Sequence, residues 1–152
     1  MIIALTLHVL SAVIWVGGMF FAYMALRPVA ASLLEPPVRL TLWAQVLGRF
    51  FPWVWAAVVL LLVSGLWMVF GFYGGMKFVG HHVHVMLLLG VIMMLIYLHV
   101  YFAPFRRLKQ AVAEQNWKTG GEKLAQIRKL IAVNLSLGLL VVAIATAGRF
   151  LV

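Results

Sequence analysis

The stretch Leu7–Phe21, LHVLSAVIWVGGMFF, sets one histidine inside a run apolar enough to cross a membrane. An ionisable side chain at membrane depth is expensive, and it marks a functional site by default. At about 100° per residue, His8, Ser11, Trp15 and Met19 fall on one face of a helix. His8 is therefore expected to look into protein, with the Trp15 ring about two turns below it.

The rest of the chain supports a membrane reading of this run. Of 152 residues, 66% are hydrophobic and only 10% charged, with a mean hydropathy of +1.11. Soluble domains average about half apolar and a quarter charged, so the composition indicates an integral membrane protein in contact with lipid. The absence of cysteine excludes disulfides and thiolate metal sites. The formal charge of +9 does not point to nucleic acid. The basic residues flank apolar runs without a recognition motif, as cytoplasmic loops facing anionic lipid do. There is no aspartate, and Glu35, Glu114 and Glu122 all lie between apolar runs. Paired-carboxylate catalysis and buried-acid proton relays thus have no residues to use.

Four spans are expected, at about 2–26, 52–72, 79–102 and 130–151. Arg27–Pro28 ends the first, which has no basic segment before it and so reads as a retained span. Pro36–Pro37 breaks the following connector, and Leu40, Trp43, Val46 and Leu47 then mark a short amphipathic helix at the interface. Pro52 opens the second span, and Pro104 stops the third. The basic connector 105–129 is expected to divide at Gly120–Gly121 into two short helical pieces. The connectors after spans one and three hold ten cations, against Lys77 and Arg149 on the opposite side. That asymmetry places both termini outside. The expected fold is an all-α, up-down four-helix bundle forming a single transmembrane domain over 1–152. Gly17–Gly18 and Ser64–Gly65 offer close-packing surfaces, within one bundle or between copies in a homo-oligomer.

Five histidines carry the candidate chemistry: His8, His81, His82, His84 and His99. With this topology His8 lies roughly 9–10 Å into span one, and His84 roughly 7 Å into span three from the same side. Two imidazoles facing each other across a bundle can ligate a haem b, and they are also half of a copper site. Lys77 and Arg149, at an end without carboxylates, suit haem propionates. The haem-binding set is then His8, His84, Lys77 and Arg149, with Trp15 beneath. The competing copper set is His8, His81, His84 and Met76, since imidazole and thioether both suit copper. His81 and His84 share a helix face at i, i+3, whereas His82 points elsewhere. His99 lies roughly 22 Å deeper than His84 and lacks a partner histidine, so it reads as a polar residue at the inner interface beside Tyr97 and Tyr101.

LHVLSAVIWVGGMFF, the later RFFPWVWAAVVLLLVSG, the histidine-bearing start of span three and the closing NLSLGLLVVAIATAGR together resemble the bacterial copper-resistance protein D (CopD) family. The most specific piece is His8 with Trp15 and Gly17–Gly18. The resemblance implies an inner-membrane four-helix protein linked to copper uptake or resistance. The His8 motif is also similar to that of HemJ-type protoporphyrinogen oxidases, which are haem-containing membrane proteins, and there His8 would carry over as a ligand. Three readings stand: a haem b protein with redox chemistry at the outer face, involving copper or a quinone-type redox partner; a copper transport or resistance protein; and a structural or assembly protein whose histidines pack.

Overall fold

A computed structural model describes residues 1–151. Four long helices account for nearly all of them: α1 (Ile2–Leu33), α2 (Pro36–Phe72), α3 (His81–Ala113) and α4 (Trp117–Phe150). All four are long and apolar enough to span a membrane. They run up and down in sequence, with α1 packed mainly on α2 and α3 mainly on α4. Near the middle Gly138 of α4 lies against Val16 of α1 and Met93 of α3. One end of the bundle carries both termini, His8 and the α2–α3 loop, and is called here the histidine end. The other carries the two remaining connections and most of the cations, and is called the basic end.

The helices are longer than the expected spans. A helix of 32 residues such as α1 extends about 48 Å, against about 30 Å of hydrocarbon. The connectors expected to separate the spans are in large part helical extensions of them. Arg27–Pro28 does not end α1, because a π-turn at Ala22–Leu26 absorbs the change in hydrogen-bond register, and the Arg27 N–H donates to the Ala22 carbonyl. Pro104 lies inside a similar π-turn at Tyr101–Phe105, and α3 continues to Ala113. The amphipathic segment after Pro36–Pro37 is the first part of α2, which passes through Pro52 without a break. Gly120–Gly121 does not divide the basic connector either. The break comes at 114–116, where Gln115 adopts φ 55° and the Asn116 side chain accepts the Thr119 N–H at 3.3 Å to cap α4. Gly120 serves close packing instead: a Cβ there would stand 3.2 Å from Leu40 and 3.7 Å from Ala111.

The core sits at the basic end. Leu40 and Leu47 of α2, Phe105 and Leu108 of α3, and Ile127 of α4 are all at most 2% exposed. Above them an aromatic cluster joins three helices. Tyr97 packs against Phe51, Trp55 and Trp15 with ring centroids 5.4, 5.3 and 6.1 Å apart. Its hydroxyl donates to the Phe51 carbonyl at 3.0 Å. Tyr97 thus belongs to the core rather than to an interface beside His99, which is exposed. At the centre Asn134 of α4 donates from Nδ2 to the Met93 carbonyl at 3.2 Å. Its Oδ1 is buried without a protein partner, beside a cavity of about 20 Å³, which is room for one water.

Candidate functional site

The helix face read from Leu7–Phe21 is present. Ser11, Trp15 and Met19 are buried and His8 is half-buried on the same side of α1. The ring of His8, however, meets α2. Its Nδ1 lies 2.9 Å from Ser64 Oγ, and a Cβ at Gly65 would stand 3.2 Å from its Cε1. Ser64 is itself buried and donates to the Leu60 carbonyl, so its oxygen is left to accept a hydrogen bond from the His8 ring N–H. Ser64–Gly65 is therefore a close-approach surface, as the sequence suggests, and what approaches it is the imidazole. Of the other pair, Gly18 is covered by the Phe50 ring, while Gly17 faces open space.

The remaining candidates gather at the start of α3. His81 and His84 are exposed on one face, one turn apart, with ring centroids 6.4 Å apart. A metal–nitrogen bond of about 2 Å on each side, together with the two ring radii, reaches such a separation only when the ion sits in line between the rings, and a bent site requires the rings to close up. His82 does point elsewhere. It is wedged between Gly80 and Gly148, each of which would place a Cβ 2.7 Å from it. Its Nδ1 is buried without a partner. The role of His82 in fastening the α3 start to the end of α4 is not visible in sequence, although two glycines flanking a histidine contact are its trace. Met76 is half-buried in the short 3₁₀ turn Met76–Phe78 that precedes α3.

Trp15 is spent on the aromatic core, 3% exposed. Lys77 and Arg149 lie over the rings of their own neighbours, Phe78 at 5.6 Å and Phe150 at 4.6 Å. The structure thus brings together His81 with His84, and His8 with Ser64. No group of three or more His, Cys, Asp or Glu side chains converges as a metal cage among the described residues. The chemistry this end can perform is two-imidazole binding at the surface, with one further imidazole held inside the bundle.

These features define a multi-pass membrane protein, a bundle of four helices with a histidine-bearing end. Its family follows from comparison with known proteins: a family model described as copper resistance protein D (CopD) matches residues 44–147, and the chain belongs to that family. The match takes in α2 from Ala44, all of α3 and α4 to Ala147, so it includes His81 and His84 and leaves out the Leu7–Phe21 stretch. Comparison with curated proteins and with solved structures finds no match.

Proposed function

We propose that this protein handles copper in the bacterial inner membrane, with His81 and His84 as the pair that meets the ion and both termini on the outer side. The exposed histidine pair at the start of α3 carries this reading. It lies within the segment that matches the copper-resistance family, and its two rings, one turn apart on an exposed face, are within reach of one ion held in line between them. Met76, in the turn just before α3, offers a thioether in the same region, a donor that favours the reduced ion. His8, hydrogen-bonded to Ser64 within the bundle, is a polar group inside the span at the same end. Copper is cargo here rather than a resident cofactor.

The test is copper binding to detergent-purified protein, paired with copper accumulation in cells. The double variant His81→Ala/His84→Ala is expected to lose binding at least roughly tenfold, about 1.4 kcal/mol. His8→Ala is expected to leave surface binding intact and to reduce accumulation. Unchanged binding and accumulation in both variants would reject the proposal. A second reading keeps a b-type haem between His8 and His84, with Lys77 and Arg149 at the propionates, and the half-buried position of His8 inside a span favours it. It requires a Soret band on haem supplementation that His8→Ala abolishes; a colourless preparation rejects it.

A further inference from the structure

A cavity of small-molecule size lies at the opposite end from the histidines. It is a half-open space of about 680 Å³ between the second half of α1 (22–31), the start of α2 (36–43) and the segment 117–131 of α4. That is within the range of small-molecule sites, roughly 300–1,000 Å³. Arg27, Arg39, Lys118 and Arg128 line it, against the single carboxylate Glu122. Its apolar wall includes Leu40, Trp43 and Ile127, all buried core residues.

Two of the cations are already oriented. Arg27 donates from Nε to the Tyr23 carbonyl at 3.1 Å, and its guanidinium lies 4.4 Å from the centroid of the Tyr23 ring. Arg39 donates from Nη1 to the Ala31 carbonyl at 3.5 Å. Both arginines are thus steered by backbone carbonyls rather than paired with acid. The chain as a whole has three carboxylates for twelve cations, so neutralisation from within is scarce.

The cavity also straddles a boundary. Ala22 and Tyr23 belong to the apolar run of α1, and Arg27 follows it by one helical turn. The site therefore has a cationic part at headgroup level and an apolar part, Ala22 and Ile131, at the edge of the hydrocarbon. A free phosphate would use only the first part. An anionic phospholipid uses both, with its phosphate among the arginines and its glycerol and upper acyl chain along the apolar wall.

We propose that this cavity is a binding site for the phosphate headgroup of an anionic phospholipid from the leaflet at the basic end. Gly121 provides a direct way to close it. It lines the cavity, and a Cβ built there meets nothing within 4 Å, so a larger side chain can enter the space without displacing protein.

The experiment is native mass spectrometry of the full chain in neutral detergent, with phosphatidylglycerol, phosphatidylcholine or inorganic phosphate added in turn. Wild-type protein is expected to retain phosphatidylglycerol and not phosphatidylcholine. Gly121→Leu, and separately Arg39→Gln/Arg128→Gln, are expected to reduce retention roughly tenfold or more. Arg106→Gln/Arg107→Gln removes the same charge at exposed positions outside the cavity and is expected to retain the lipid. Circular dichroism and monodisperse elution establish that each variant is folded. Equal retention of phosphatidylcholine, or equal loss in the Arg106/Arg107 variant, would overturn the site. Displacement of the lipid by inorganic phosphate at matched concentration would assign the cavity to a free anion and overturn the lipid.

Discussion

The two ends of this bundle are built on different physics. At the basic end large side chains interlock: Phe51 and Phe105 stand 4.7 Å apart edge to face, over Leu47, Leu108 and Ile127, and all are nearly sealed. At the histidine end the buried positions on α1 and α2 are small, Ala4, Ser11, Ser64 and Val69, and large apolar residues such as Ile2, Val63 and Leu88 face outward. In lipid an apolar side chain gains little by turning inward, so contacts there depend on small residues and hydrogen bonds. Where the helices extend past the hydrocarbon, water restores the hydrophobic drive and large residues are buried. The firm end can hold the bundle together, while the lightly packed end is left to present histidines.

That contrast can be broken most directly by truncation. Leu108→Ala is expected to destabilise by about 3 kcal/mol, because the site is completely enclosed. Leu88→Ala, at a position 61% exposed near the histidine end, should change stability by no more than about 0.5 kcal/mol. Unfolding in mixed detergent with increasing dodecyl sulfate measures both, and comparable losses would refute the division. A smaller effect is expected where the two ends meet. Gly138→Ala would press a methyl group to 2.9 Å from Val16 and 3.1 Å from Met93, at a cost of about 1–2 kcal/mol. Gly17→Ala meets nothing and should be neutral or slightly stabilising through helix propensity. The smallest effects concern single hydrogen bonds. Tyr97→Phe should cost about 1 kcal/mol and Ser64→Ala about 0.6 kcal/mol. Ser64→Ala should also speed carbodiethoxylation of His8, since the ring loses the partner that fixes it. Unchanged His8 reactivity would mean that packing on Gly65 alone holds the imidazole.

The four apolar helices and the His8 face were legible because both depend on local composition and periodicity. A helix buries the residues that recur every three to four positions, and Ser11, Trp15 and Met19 do recur so. Helix continuity through Pro28, Pro52 and Pro104 was not legible. Proline rules describe the cost of a missing donor, and π-turns and neighbouring helices meet that cost only in three dimensions. The same limit applies at Gly120, which reads as a helix breaker until Leu40 of another helix is placed beside it. The histidines divide in the same way. That His81 and His84 share a face follows from their spacing, whereas the turning of His8 toward Ser64 depends on which helix lies next to α1.

By itself the sequence determined the number of helices, their apolar character, the uneven distribution of charge between the two ends and which histidines could act together on one helix. These are properties of composition and of a period that every α-helix shares. Only the tertiary structure decided that His8 pairs with α2, that His82 is wedged between Gly80 and Gly148, and that four cations surround a cavity at the basic end. Each of those depends on contacts between residues far apart in the chain. Such contacts are set by how four helices of unequal packing come together, and no local pattern encodes them.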